Sequence, residues 1–126
     1  MNESGPNATD VKVFVPTKDY EESLKYYQAI GWKLLWKRDD LSELELGNTR
    51  IYLQKYYNKG WANNFMMYIN VDDAQAWYDH INNHLEESNY KYARVKPPKK
   101  ESHAIVTYAW DPCGVLLHFA ENYINQ

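Results

Sequence analysis

Apolar and polar residues alternate along the chain with period two or with helical spacing, and this divides it into short elements. Val11-Lys12-Val13-Phe14-Val15 reads as a strand that Pro16-Thr17 ends. Asp19 with Glu22 forms a capping-box-like pair opening a helix. Its apolar stripe is Tyr20, Leu24, Tyr27 and Ala29-Ile30, and Gly31 is the stop. Trp32 to Lys37 reads as a strand, Arg38-Asp39-Asp40 as a turn, and Leu41 to Leu46 as a strand alternating Leu44 and Leu46 against Glu43 and Glu45. Gly47-Asn48 is a hairpin signal, followed by a strand from Arg50 to Tyr56. A loop over Asn58 to Asn64 resets the pattern. Phe65 to Val71 is then a strand, and Asp72-Asp73 caps a helix with the stripe Ala74, Trp77, Tyr78, Ile81 and Leu85. Strands follow over Tyr90 to Val95 and His103 to Trp110. The turn Asp111-Pro112-Cys113-Gly114 leads into a last strand, Val115 to Phe119.

The order is thus strand, helix, three strands, and the same again, with Asp19 and Asp73 at equivalent points. The expected fold is α+β, two βαβββ modules forming a cupped mixed sheet. Residues 1–10 read as a flexible arm, 11–121 as a single domain of modules 11–57 and 65–121, and 122–126 as a tail. Positions 11, 13, 15, 51, 53, 67, 69, 71, 115, 117 and 119 are all aliphatic, Met or Phe and should face the helices. The opposite face carries Lys12, Phe14, Tyr52, Gln54, Met66, Tyr68, Asn70, Leu116 and His118. Phe14, Met66 and Leu116 are poor choices for an open solvated face, whereas apolar walls with a few placed polar groups suit a ligand cleft. His118, alone on an apolar strand, is either a hydrogen-bonded rim histidine or a group aimed into that cleft.

Composition narrows the classes. A net charge of −3 argues against a nucleic-acid backbone binder, and the basic stretch Lys96 to Lys100 reads as a solvated loop broken by its prolines. No apolar run reaches the ~20 residues of a membrane span, and the first ten residues lack the features of a signal peptide. The lone Cys113 excludes an internal disulfide and fits a reducing cytoplasm; its turn supplies no activating partner for a nucleophile. Twelve Tyr and five Trp exceed what such a core requires and favour a surface that is apolar at one end and wet at the other. His80 and His84, four apart on a helix, lie off its stripe and read as solvated. Glu43 and Glu45 fit an exposed sheet surface.

The stretches Val15-Pro16-Thr17-Lys18-Asp19, Ser23, Tyr26-Tyr27, Ile30-Gly31-Trp32, Val71-Asp72-Asp73 and Asp111 to Gly114 together resemble the glyoxalase, bleomycin-resistance and extradiol-dioxygenase superfamily, the vicinal oxygen chelate fold. The ending Leu117-His118-Phe119-Ala120-Glu121 resembles its bleomycin-resistance branch. The resemblance implies metal-ligand positions at Lys12, Tyr52, Met66 and His118, of which only His118 is a good ligand. It also implies a homodimer with grooves between subunits, lined at positions Trp36, Gln54, Phe65 and His103. Where drug-resistance members carry Trp-Gly, this chain has His103-Ala104, losing a stacking platform. The resulting expectation is a metal-free, cofactor-free binding protein, more a receptacle than an enzyme, for an aromatic or cationic drug-like molecule. Its ligand-binding residues would be Phe14, Trp36, Tyr52, Gln54, Trp61, Phe65, Met66, Tyr68, His103 and His118, with ring faces for stacking and cation–π contact. The alternatives are a metal-dependent lyase, isomerase or dioxygenase with atypical ligands, and a protein-interaction module.

Overall fold

Elements β1 (Phe14–Pro16), α1 (Tyr20–Ile30), β2 (Lys33–Lys37), β3 (Leu41–Leu46) and β4 (Thr49–Gln54) make the first half of the computed structural model, which describes residues 5–123. The second half contains α2 (Lys59–Asn64), β5 (Met66–Asn70), α3 (Ala74–Glu86), β6 (Arg94–Val95), β7 (Lys99–Lys100), β8 (Ala104–Trp110) and β9 (Leu116–Asn122). The two long helices begin alike. The Asp19 carboxylate accepts the Glu22 amide at 3.1 Å, and Asp73 accepts that of Ala76 at 3.0 Å. Each satisfies an N–H that the first helical turn leaves without a partner. Gly31 ends α1 at φ 130°, a conformation that suits glycine, and returns its N–H to the Tyr27 and Gln28 carbonyls.

The strands form two sheets, ordered β1-β4-β3-β2 and β5-β9-β8-β6, with β7 also paired to β8. In each sheet the strand preceding the long helix runs parallel to the last strand of its half: Phe14 lies beside Tyr52, and Tyr68 beside His118. The other pairings are antiparallel. The inner faces share one core. Val15, Leu44, Ile51 and Leu53 from the first sheet cluster with Tyr20, Leu24, Tyr27 and Ile30 of α1 and with Ile81, Leu117 and Phe119 of the second half. Each such aliphatic side chain contributes on the order of 1.5–3 kcal/mol on burial. Trp77 of α3 stacks on Phe119 at 4.5 Å. The α3 entry is pinned by polar contacts as well: Thr107 donates to the Ala74 carbonyl at 2.7 Å, and Glu121 accepts the Ala74 amide at 3.1 Å.

A buried hydrogen bond also joins the halves. The Tyr27 hydroxyl of α1 donates to Asp111, in the β8–β9 turn, at 2.7 Å. The other Asp111 oxygen accepts the amides of Cys113 and Val115 at 2.8 and 3.0 Å. Asp111 is fully buried, and burial raises its carboxyl to about 6 against the pull of those donors. The turn needs Gly114 at φ 98°.

Several sequence expectations are corrected. β1 begins at Phe14, and Val11 and Val13 are 83% and 43% exposed rather than turned to a helix. They precede the residues that α1 covers, and β1 is the sheet's edge. Of the expected loop Asn58 to Asn64, Lys59–Asn64 is helical, because the Asn58 side chain caps α2 by accepting the Trp61 amide at 3.0 Å, and Ala62 is buried. The expected strand over Tyr90 to Val95 shortens to β6, since Tyr90 turns edge-on to Tyr26 at 5.6 Å. The proline-broken basic stretch still yields β7, with Lys99 and Lys100 paired to Val106 and Ile105. The ends of the expected arm and tail, residues 1–4 and 124–126, lie outside the described residues.

Candidate ligand-binding site

The site begins with an irregularity in β2. Leu34 pairs with Leu44, but Trp36 pairs with Glu43, so Leu35 is an extra residue in the ladder. Without that bulge Trp36 would oppose Ser42, whose side is the helix side. The extra residue moves the indole to the outer face. There Trp36 donates to Glu43 Oε1 at 2.5 Å, and its ring lies 5.9 Å from that of Tyr52, which in turn lies 5.1 Å from Phe14. Lys12 Nζ sits 2.8 Å from Glu43 Oε2 and 5.4 Å from the Tyr52 centroid, and Arg50 stands 3.9 Å from the same carboxylate.

Glu43 therefore does not lie on an exposed surface as its strand pattern suggested. It is 5% exposed, and its carboxyl is held below the usual range by the Lys12 ammonium bond and the Trp36 donor, against the opposing effect of burial. Sequence reading missed it because Glu43 and Glu45 share the alternation of any half-solvated strand. The available signal was Lys12, a cation on the same outer face.

The second sheet presents a parallel arrangement. His118 is flanked by Tyr68 at 5.8 Å and Tyr108 at 5.1 Å, and Tyr68 lies 6.2 Å from His103. Tyr68 donates to Asn122 at 2.9 Å, and Tyr108 donates to Glu101 at 2.6 Å. That bond is the main reason the Tyr108 hydroxyl is pushed up to about 12. His118 Nε2 is buried without a hydrogen-bond partner. Burial, followed by the neighbouring His103, lowers its pKa from the ordinary 6.5. The floor of this face is tight: Ala104, Val106 and Ala120 are fully buried beside Tyr108.

The ten sequence-derived site residues thus fall into three groups. Phe14, Trp36, Tyr52 and Gln54 belong to the first outer face. Met66, Tyr68, His103 and His118 gather at the second. Trp61 and Phe65, 6.3 Å apart, form a third pair, with Phe65 packed against the core. A cavity of about 990 Å³ opens between β5 on one side and the segment before β1 with the β3–β4 hairpin on the other, and of the ten only Phe65, Met66 and Tyr68 line it. Elsewhere, His84 is not simply solvated: its Nε2 lies 2.8 Å from the Tyr90 hydroxyl, and burial lowers its pKa.

The positions that the resemblance gives to a metal do not form a donor set. Lys12 is paired with Glu43, Tyr52 with its two ring neighbours, and Met66 is exposed. The register also offsets them, because Tyr52 lies opposite Phe14 and His118 opposite Tyr68. Among the described residues no three His, Cys, Asp or Glu side chains converge on one point. These residues do not fit a divalent cation.

Two helix-backed mixed sheets in repeated order define a duplicated βαβββ domain. Residues 11–119 match the Glyoxalase/Bleomycin resistance protein/Dioxygenase superfamily, and the chain belongs to it. Among curated proteins none matches. Solved structures similar to this fold include a bleomycin resistance determinant encoded on the transposon Tn5, at 17% identity and TM-score 0.75, covering 93% of this chain and 100% of that one. A bleomycin-binding protein complexed with bleomycin is similar at 18% identity and TM-score 0.73, covering 91% and 99%. An antibiotic binding protein from Streptomyces sp. CB03234 is similar at 15% identity and TM-score 0.74, covering 94% and 99%. No helix among the described residues is long and apolar enough to cross a membrane.

Proposed function

We propose that this chain is a metal-free, non-catalytic binding protein that holds an aromatic, cationic small molecule in a groove of a homodimer. The observation that carries the reading is the Glu43 carboxylate, nearly buried among the rings of Phe14, Trp36 and Tyr52. A carboxylate framed by ring faces suits a flat cation, which gains both charge pairing and cation–π contact. Lys12 holds that place in the free protein, its side chain 23% exposed just ahead of β1, and an incoming cation would compete with it for the carboxylate. His118, with Nε2 unpartnered, supplies a polar group for orientation on the second face. The similar bleomycin-binding and antibiotic-binding structures support a small-molecule receptor.

A second copy is supported by the open edges. Among the described residues β1 has no partner beyond β4, nor β5 beyond β9, and Val11, Val13 and Met66 leave apolar surface beside them. The test is a thermal-shift and tryptophan-quenching titration with planar aromatic cations and their neutral isosteres. A raised melting temperature with the cation and a clearly smaller response to the isostere is expected. In Glu43→Gln the preference for the cation should fall about tenfold or more. Equal binding of both probes, or an unchanged preference in the variant, overturns the reading.

A further inference from the structure

We propose that a second pocket, separate from the ring-bearing faces described above, is a binding site for a small aromatic anion. It has a volume of about 570 Å³ and lies between the segment before α1, the start of α2, β6 and the β8–β9 turn. None of the ten residues assigned to the first site lines it. The volume is that of a small-molecule cleft.

Its charge is opposite to that of the molecule. The chain carries a net −3, yet the pocket is lined by Lys18, Lys59 and Arg94 and by no Asp or Glu. Among the described residues none of these three cations makes an ion pair with a carboxylate. The nearest buried acid, Asp111, faces inward and is engaged by Tyr27 and the turn amides. Three cations close together without counter-charge repel one another, and an anion entering between them relieves that repulsion.

The aromatic component is equally specific. Lys18 Nζ stands 5.5 Å from the Tyr57 centroid and 5.6 Å from that of Tyr92. Arg94 stacks over Trp110 at 3.9 Å. Lys18 and Arg94 are thus held by ring faces rather than by carboxylates, and their donors remain available. Tyr57 and Tyr92 are exposed, so ring surface is also open to a ligand. An aryl phosphate or aryl carboxylate would place its oxygens among Lys18, Lys59 and Arg94, with its ring against the tyrosines. Gly114 keeps one wall low; a Cβ there would stand 3.5 Å from Asn63 Oδ1.

The experiment is a titration of the full chain with naphthyl phosphate, naphthoate, inorganic phosphate and naphthylmethylammonium, followed by heteronuclear NMR. Saturable binding of either aryl anion is expected, with shifts at the Trp110 indole and the Gly114 amide, and the tighter of the two names the anionic group. Lys18→Gln and Arg94→Gln should each weaken it by about tenfold while the amide spectrum away from the pocket stays unchanged. Inorganic phosphate binding as tightly as the aryl anions would overturn the aromatic part. Overturning the site itself are unaltered affinity in both variants, shifts at Trp36 and Tyr68 instead, or equal binding of naphthylmethylammonium at Trp110. Because the cationic ligand of the first site reports at Trp36, either proposal can fail while the other stands.

Discussion

Two buried carboxylates in this chain answer to pH with opposite sign. Glu43 is held below its ordinary value by Lys12 and Trp36. Its contribution to stability is present above the unfolded value of 4.5 and disappears as pH falls through the depressed folded one. Asp111 is raised from 3.8 to about 6 by burial. Its folded form binds the proton more tightly than the unfolded chain, so its contribution is full below 3.8 and is lost as pH rises through about 6. Comparing unfolding free energies of wild type and Asp111→Asn, the wild-type advantage should shrink by on the order of 2 kcal/mol between pH 4 and 6.5. Against Glu43→Gln, the wild-type advantage should instead shrink on acidification below pH 4.5. His118 should titrate below its ordinary value of 6.5, as read from its ring resonances. At this scale the sequence was uneven. His118 stood out as the one polar group on an apolar strand, whereas Glu43 looked like any solvated glutamate because burial by a distant lysine leaves no local mark.

Among elements, the caps and the strict alternations were legible, and local irregularities were not. Asp19, Asp73 and Gly31 stand where capping chemistry requires, and β3 runs over the expected Leu41 to Leu46. The bulge at Leu35 has no sequence signature, since Lys33 to Lys37 alternates poorly in either register. Deleting Leu35 should swing Trp36 to the helix side and abolish its hydrogen bond to Glu43. The measurable outcome is a lower melting temperature and a loss of the cation preference in tryptophan quenching. Helix α2 was hidden by Gly60 and three asparagines, residues that favour turns, although Asn58 is also a good cap. In the turn after β8, Gly114→Ala should cost about 1–2 kcal/mol in denaturant unfolding, because φ 98° strains any residue with a Cβ.

For the whole molecule, the repeated order of elements and the apolar inner faces could be read directly, because both follow from period and parity. How the two outer faces lie with respect to a second copy could not, because edge exposure is a property of the fold. Val13→Glu combined with Met66→Glu should shift the proposed dimer to monomer in light scattering, with little change in the folded far-ultraviolet spectrum; a species already monomeric in wild type would contradict the proposal. Both residues are exposed and line the same open cavity, so the charges meet water in the single chain and lose it only across an interface.

The bond from Tyr27 to Asp111, set within a core drawn from both repeats, has a bearing on how the polypeptide could be cut. Neither repeat retains a sealed interior when severed from its sibling, since each supplies the other's missing wall. A nick placed at exposed Tyr56-Tyr57 should therefore leave two fragments that stay clasped and melt as one unit, and the same pieces made separately should recombine on mixing.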